Sequence, residues 1–419
     1  MNDAIATTAL RGGNLPHLAD FNETIVLEAI RRATDGCSRV ELARVTGLSG
    51  QTITNITRRL LARELIHEAG RTAPAGVGKP RTLLRLNARG AHAVGVHIDP
   101  ASITYVLLDF HGRPVAHTSH RTPSVTDVQP VLDEITAHVE SLISDSGVDR
   151  DRVIGVGIAS PGPIDVVNGV VLNPPLLPGW VNVPLRDHLQ EQTGLPTIMD
   201  KDVIAGVVAE QWAADAEHSR NFAFVYIGTG IGVGLVLDGH VVRGTSNNIG
   251  DIGLMPVSTT GDAGESPREF AALGAVASAH VVMRQAARRG ILPADFGEVQ
   301  PAEAAAAFRV LRALADGGSP SAREMLVEMA QYLASGILTI TNLLDLDRVL
   351  LGGPIWRELA PYALDVIGAE VDRRTVTGRL HEVTVSGTSL GDQVAAIGAG
   401  CLVLDQHFAP RFAPDTVRA

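Results

Sequence analysis

Five polar side chains between residues 51 and 59 have the chemistry needed to read DNA. Amide and hydroxyl groups can hydrogen-bond to base edges, and guanidinium groups can bind bases or phosphates. The five are Gln51, Thr52, Asn55, Arg58 and Arg59. Apolar residues recur among them at helical spacing, namely Ile53, Ile56, Leu60 and Leu61. The pattern therefore predicts a helix that is anchored on one side and presents its other side to a DNA groove.

The residues before this helix predict the rest of a helix-turn-helix. Gly47 stands at the sharp turn, and Ser49 can cap the second helix. The apolar face of the short first helix comes from Val40, Leu42 and Ala43. Upstream, Asn22 can cap a further helix over residues 23–33. The alternative is a helical hairpin inside a larger core, and the segment that follows argues against it.

That segment, residues 71–87, has a Gly- and Pro-rich tip between two extended stretches, as in a β-wing. Lys79 and Arg81 flank a proline, and a short basic loop of this kind suits a narrow minor groove. Alone it could be a solvated turn, but after a helix-turn-helix it completes a winged helix. We assign this domain to residues 18–88, after a flexible arm over 1–17. The candidate DNA contacts are Ser49, Gln51, Thr52, Asn55, Arg58, Arg59, Lys79 and Arg81.

The charge is divided unevenly along the chain. Residues 1–90 hold 13 basic and 8 acidic side chains, whereas the remainder holds 22 and 38. A basic module joined to an acidic body indicates that double-stranded DNA is contacted by the N-terminal module alone. With two distant cysteines, no cysteine zinc site or disulfide framework is expected. We find no membrane span and no signal-peptide core, so a cytoplasmic location is expected.

After the wing, the pattern changes to strands alternating with helices, which predicts an α/β body. Several motifs in this body together resemble the ROK family (repressors, open reading frames and kinases). They are SPGPID at 160–165, LLPGW at 176–180, KDVIAG at 201–206, IGTGIGVGLVLDG at 227–239, IGDIG at 249–253 and LLGGPIW at 350–356. The resemblance implies a two-lobed, actin-like and sugar-kinase-like (ribonuclease H-like) body, here in the branch with an N-terminal winged helix. Lobe 1 would comprise residues 89–200 and 387–408, and lobe 2 residues 201–386.

The resemblance also implies where a family kinase would bind ATP. An early Asp-Gly-Gly-Thr turn and the GTGIGxG turn cradle the phosphates, and an Asp at the position of Asp202 is the base. Here the early turn, residues 99–102, reads Asp-Pro-Ala-Ser. Its proline has no N–H to donate, and its phosphate-approach glycines are missing. We therefore predict no enzyme activity. The glycines retained at 228–234 are either turn residues or remnants of a ligand site.

The sugar pocket implied by the family is altered as well. Asp202, Asp251 and Glu269 remain as hydroxyl acceptors, whereas one amide and a histidine of the family pattern are lost. The full effector set is Gly179, Trp180, Lys201, Asp202, Asp251 and Glu269, with the first three at the rim of a cleft between the lobes. Lys201 could bind an anionic ligand, but we favour an internal ion pair with Asp200 or Asp202. The family's His-Cys₃ zinc motif is absent, so no metal and no cofactor are expected.

These observations favour a DNA-binding regulator, acting as a repressor of carbohydrate genes, whose body senses a sugar or sugar phosphate. A homodimer or a dimer of dimers is expected. Two alternatives remain open at this point: a sugar kinase with an added DNA-binding module, and a ligand-independent DNA-binding dimer.

Overall fold

The computed structural model describes residues 15–33, 35–72, 81–123, 127–213, 220–259 and 269–409, leaving out the side chains of residues 15–20 and 72. Two compact units emerge. One comprises the chain up to Gly90 together with the chain from Asp405 onward, and the other, the body, runs from Ala91 to Leu404.

The N-terminal unit is a winged helix. Its elements are α1 (Leu15–Arg32), β1 (Cys37–Ser38), α2 (Arg39–Thr46), α3 (Gly50–Ala62), β2 (Ile66–Thr72) and β3 (Arg81–Leu86). The strands form an antiparallel sheet in the order β1-β3-β2. Apolar residues of the helices and of β3 pack inward, and the fully buried ones include Val26, Leu42, Ile53 and Leu60 of the helices and Leu84 of β3.

Two local expectations for this unit were wrong. Helix α1 begins at Leu15, so Asn22 lies inside the helix and does not cap it. Val40 is 57% exposed and adds nothing to the apolar face of α2, whose buried anchor is Leu42. A helix of only eight residues turns few side chains inward, and Val40 lies near its exposed start.

The first sheet of the body has five strands. Along the chain come β4 (His92–Ile98), β5 (Ser102–Leu108), β6 (Pro114–Arg121), α4 (Gln129–Ser146), β7 (Val153–Ser160), β8 (Ile164–Asp165), β9 (Val170–Val171), α5 (Leu185–Thr193) and β10 (Thr197–Lys201). The strand order is β10-β7-β4-β5-β6. The first three run parallel, and β5 and β6 are antiparallel additions. Strand β10 ends at Lys201, one residue past the expected lobe boundary.

The second sheet repeats this plan. Its region contains α6 (Asp202–Ala213), β11 (Phe222–Ile227), β12 (Ile231–Leu237), β13 (His240–Val241), β14 (Pro256–Ser258), β15 (Phe270–Ala272), α7 (Leu273–Ala277), α8 (Ala279–Arg288), α9 (Ala304–Asp316), α10 (Pro320–Leu344), β16 (Arg348–Gly352), α11 (Pro354–Arg374) and β17 (Thr384–Gly387), and α12 (Val394–Phe408) follows. The order β13-β12-β11-β16-β17 again joins three parallel strands to two antiparallel ones. The body is thus a mixed α/β structure with the duplicated sheet plan expected of an actin-like fold.

Helices α6 and α12 pack unusually close to their neighbours because glycines line the contacts. A Cβ added at Gly157 of β7 would stand 1.8 Å from the carbonyl oxygen of Ala399, and one at Gly95 of β4 would stand 1.9 Å from that of Ala396. A Cβ on Gly398 would likewise stand 1.8 Å from the carbonyl oxygen of Ala205 in α6. Backbone therefore lies directly against backbone where α12 meets the first sheet and α6.

Candidate functional site

The recognition helix α3 begins as the sequence predicts. Gly47 ends α2 in the left-handed conformation at φ 71°, which a residue without Cβ adopts at little cost. The Ser49 hydroxyl then caps α3 by accepting a hydrogen bond from the Thr52 N–H at 3.2 Å. The turn and the cap together fix where α3 leaves α2.

The outward face of α3 carries three of the candidate DNA contacts. At about 100° per residue, Gln51, Asn55 and Arg58 fall opposite the buried Ile53 and Leu60. Gln51 and Arg58 are exposed, and the Arg58 guanidinium donates to the Asn55 amide oxygen at 3.1 Å. This stripe offers amide and guanidinium groups to a partner without first breaking core packing.

Arg59 and Thr52 lie on the flank of α3. The Arg59 guanidinium donates to Glu23 of α1 at 2.8 and 3.0 Å, and Arg63 pairs with the same carboxylate at 2.5 Å. Thr52 shares its hydroxyl with Ser49 at 2.9 Å. These interactions divide the candidate set into an open stripe and a flank already engaged within the protein.

The wing strands β2 and β3 are present, and Arg81 is exposed at the first position of β3. Lys79 and the rest of the tip, residues 73–80, lie outside the described residues.

In the body, Asp99 joins the two turns that a family kinase would use for phosphate. One oxygen of its buried carboxylate, Oδ1, accepts hydrogen bonds from the Ala101 N–H at 2.8 Å and from the Thr229 hydroxyl at 2.7 Å. The first donor belongs to the β4–β5 turn and the second to the glycine turn between β11 and β12. The Asp99 carboxylate therefore joins the two turns directly.

Asp202 begins α6 beside this carboxylate. Its Oδ1 accepts the Val203 N–H at 2.7 Å. Burial raises the pKa of Asp202 to about 6, against the opposing charge of Lys201, and the nearby carboxylates of Asp99 and Asp251 act in the same direction as burial. Asp202 and Asp251 thus lie within electrostatic reach of each other. Asp251 is exposed, and its carboxylate accepts the Gly253 N–H at 3.2 Å.

Lys201 makes a different interaction from the one we favoured. Its buried ammonium donates to the carbonyl oxygens of Asn248 at 3.3 Å and Ile249 at 3.0 Å. Asp200 is instead paired with Arg243 at 3.1 Å. The ammonium finds these carbonyl acceptors because residues 248–249 lie close to the end of β10. Lys201 therefore fastens this segment to the first sheet.

Trp180 is also placed differently. Its side chain is 0% exposed and belongs to the core of the first sheet, so it is not a rim residue. Gly179 beside it is half-buried, with φ 87°. Glu269 is exposed immediately before β15, and no described contact joins it to Asp202 or Asp251. Of the three expected rim residues, Trp180 is thus a core residue, and a rim position for Gly179 stays a prediction.

The retained glycines do not all have the same role. A Cβ at Gly234 would stand 2.2 Å from the Val203 carbonyl oxygen, and one at Gly232 would stand 2.7 Å from the Val203 side chain, so both are required for α6 to pack on β12. Gly230 is exposed, and no atom lies within 4 Å of the position a Cβ would take. Packing explains the first two, whereas Gly230 is free to face a ligand.

Sequence reasoning missed three residues that shape this cleft. The Asn248 side chain forms a two-way clamp with the backbone of Ile164, accepting its N–H and donating to its carbonyl, both at 2.8 Å. Arg243 neutralises Asp200, and Tyr226 packs edge-on to His97 at 5.8 Å between ring centroids. A polar run of SNN just before IGDIG was the only signal for the clamp.

Within the described ranges, no group of three or more His, Cys, Asp or Glu side chains is placed to hold a metal ion. Residues 260–268, where the family's zinc motif would fall, lie outside those ranges. Among the helices that the structure describes, none is both long and apolar enough to cross a bilayer.

The fold and these motifs agree with the comparisons to known proteins. The model of the ROK family matches residues 93–406, so the chain belongs to the ROK family. A ROK family transcriptional regulator of known structure, a homologue of the Escherichia coli Mlc protein, superposes with a TM-score of 0.74 at 23% identity over 94% of this chain and 98% of its own.

Two relatives separate the branches of the family. A xylose repressor from Caldicellulosiruptor bescii is 23% identical over 96% of this chain and 100% of its own length. A glucokinase from Halalkalibacterium halodurans is 26% identical, over 75% of this chain and 95% of its own length. The repressor thus matches nearly the whole chain, whereas the kinase matches three quarters of it. The chain has the domain organisation of the family's transcriptional regulators.

Proposed function

We propose that this protein is a sugar-responsive transcriptional repressor. The observation that carries the proposal is the open stripe of Gln51, Asn55 and Arg58 on α3, built into a winged helix that precedes a ROK body. Relatives that match nearly the whole chain or most of it carry the names xylose repressor and DNA-binding transcriptional repressor Mlc. We therefore assign operator DNA to the winged helix of residues 18–88 and a neutral or phosphorylated sugar to the body.

The cleft acceptors support a sugar as the ligand. Asp202 and Asp251 are carboxylates within electrostatic reach of each other, and sugar hydroxyls are donors that such groups bind well. A ligand that binds one arrangement of the lobes better than another shifts the population toward it. In a homodimer, or a dimer of dimers, this shift would change the spacing of two winged helices relative to their half-sites. Glu269 stays in the proposed effector set, together with Gly179 and Lys201.

We further propose that the body does not phosphorylate the sugar. The turn at residues 99–102 lacks the glycines that let backbone approach a phosphate, and Asp99 keeps the Thr229 hydroxyl of the facing turn engaged. Pro100 cannot donate a backbone N–H there. The kinase relative matches the body, and Asp202 is retained at the position of the base, which makes sugar phosphorylation the second candidate function.

One pair of experiments tests both functions. DNA enriched by the full-length protein from a random pool should bind it in gel shifts, and one sugar or sugar phosphate from a panel should change that affinity. A coupled assay with ATP and glucose, mannose, glucosamine or N-acetylglucosamine should show no turnover. Turnover that Asp202→Asn abolishes would establish the kinase. An affinity for selected DNA that no sugar changes would instead favour the ligand-independent dimer.

A further inference from the structure

A second pocket lies in the body away from the cleft, between α8 and the segment 294–301. Its volume is about 600 Å³, which falls in the range of small-molecule sites. One wall is a stripe of α8 with His280, Arg284 and Arg288 at successive turns, and the facing wall includes Glu298 and Gln300. None of these side chains belongs to the proposed DNA or sugar site.

The two arginines of this wall have no acidic partner among the described residues. The neighbouring Arg289 shows the contrast, because it is paired with Glu328 at 2.7 Å, whereas among the described residues neither Arg284 nor Arg288 forms an ion pair. Two guanidinium groups one helical turn apart repel each other unless an anion lies between them. Glu298 supplies one negative charge on the facing wall, which does not balance two arginines.

His280 adds a second, independent indication. Its Nδ1 atom is buried and has no hydrogen-bond partner in the described structure. A buried polar atom is normally satisfied, so the ring of this lining residue has an unmet hydrogen bond just behind the pocket surface. Burial, and then the charge of Arg284, lower the pKa of His280. An anion seated beside both groups would oppose that effect.

We propose that this pocket binds a small molecule through a phosphate group. A phosphate dianion has three acceptor oxygens, enough for two guanidinium forks and one imidazole, whereas a carboxylate offers two. The remaining volume holds the organic part of the ligand, with Gln300 and Glu298 available to its hydroxyl or amine groups. The site is distinct from the sugar cleft and does not depend on the proposed repressor function.

Isothermal titration calorimetry of the full chain tests the proposal with inorganic phosphate, glucose 6-phosphate, AMP and glucose. The double variant Arg284→Gln/Arg288→Gln is expected to bind the phosphate compounds roughly tenfold more weakly or worse than wild type. The matched control Arg309→Gln/Arg379→Gln removes the same charge from exposed positions that do not line the pocket, and should bind as wild type does.

The ligand panel and a cleft variant distinguish the remaining outcomes. Tighter binding of AMP or glucose 6-phosphate than of inorganic phosphate supports the proposal and identifies the organic part if Arg284→Gln/Arg288→Gln weakens it. Equal binding that the same variant weakens identifies a free-phosphate site and also supports the proposal. Asp202→Asn, which lies in the sugar cleft, should leave the affinity for inorganic phosphate and AMP unchanged, whatever it does to glucose 6-phosphate. If Asp202→Asn loses binding of inorganic phosphate and Arg284→Gln/Arg288→Gln does not, the anion binds in the cleft and the proposal is wrong. Absence of binding by wild type to every phosphate compound would also overturn it.

Discussion

The outward face of α3 and the cleft of the body hold their polar groups in opposite ways. On α3, Gln51 and Arg58 are exposed, and the Arg58 guanidinium donates a hydrogen bond to the neighbouring Asn55 side chain. In the cleft, Asp99 and Asp202 are withdrawn from solvent and accept hydrogen bonds from the protein itself. The first surface can meet a partner as it stands. The second must exchange internal hydrogen bonds for ligand hydrogen bonds, which is the behaviour of a sensor.

The two regions bear their energetic costs at different stages: α3 when DNA binds, and the cleft when the protein folds. Solvated side chains on α3 lose water and rotamer freedom only when DNA binds. The buried carboxylate of Asp202 already destabilises the folded state at neutral pH, because its charge has been moved out of water. A ligand that donates a hydrogen bond to it recovers part of that cost, and so favours the arrangement of the body that holds the ligand.

The largest expected effect tests how much the buried charge of Asp202 destabilises the folded protein. Asp202→Asn should raise the free energy of unfolding at pH 7 by up to about 3 kcal/mol, because a pKa of about 6 in place of the usual 3.8 penalises the charged form. The folded state binds the proton more tightly than the unfolded state. Wild-type stability should therefore fall as pH rises from about 4 to 6, and the variant should lack this component. Urea titrations at several pH values measure both.

Asp251→Asn is the matched control, because it makes the same substitution at an exposed position of the same cleft. Its stability should stay close to that of wild type. If wild type and Asp202→Asn lose stability identically as the pH rises, burial of the Asp202 charge does not destabilise the folded state.

The next effect concerns the open stripe. Gln51→Ala and Asn55→Ala should each weaken binding to the selected operator by about 1–3 kcal/mol and relax specificity at one position. Arg59→Ala, on the flank paired with Glu23, should alter specificity less. Gel shifts against single-base operator variants make the comparison. If both stripe variants keep wild-type specificity, the outward face of α3 does not contact the base edges of the operator.

A smaller effect is expected at the contact between the two turns. Thr229→Val keeps the side-chain shape but removes the hydroxyl that Asp99 accepts at 2.7 Å, so it should cost about 1–3 kcal/mol of stability. Thr104→Val is the control, because its hydroxyl pairs with Ser119 on the exposed face of β5. Thermal denaturation of the two variants should separate them by several degrees. Equal losses would mean that the Asp99 contact is no stronger than a surface one.

The smallest effect concerns the flank of α3. Glu23→Gln releases Arg59 and Arg63 and should change stability by no more than about 1 kcal/mol, as for exposed ion pairs. If the freed guanidinium groups reach phosphates, the logarithm of DNA affinity should fall more steeply with the logarithm of salt, by about 0.9 per added contact. An unchanged slope would leave both arginines outside the DNA footprint.

Local rules were sufficient to predict the winged helix. The αL turn at Gly47, the Ser49 cap and the buried spacing of Ile53, Ile56 and Leu60 all follow from neighbours within a few residues. The α/β body and its family were likewise predicted from its motifs. The boundaries of the two lobes remain predictions.

The cleft was less predictable because its contacts join distant segments. Lys201 lies beside two aspartates in the chain, yet its ammonium reaches carbonyls 47 and 48 residues away. Trp180 follows an exposed-looking Pro-Gly turn, yet packs into the core of the first sheet. Composition and spacing do not specify such long-range choices, since each residue had an equally plausible partner nearby.

The close packing of α12 has a consequence for the genetic robustness of this protein. Every single-nucleotide missense change of a glycine codon introduces at least a Cβ, and at Gly157 and Gly398 that atom would lie 1.8 Å from a backbone oxygen. No adjustment of a flexible side chain can relieve such an overlap, because the obstacle is the backbone of another element. In a saturation library selected for folded protein, these two codons should be almost empty of alternatives, whereas the codon of Gly230, which faces open space, should be well populated.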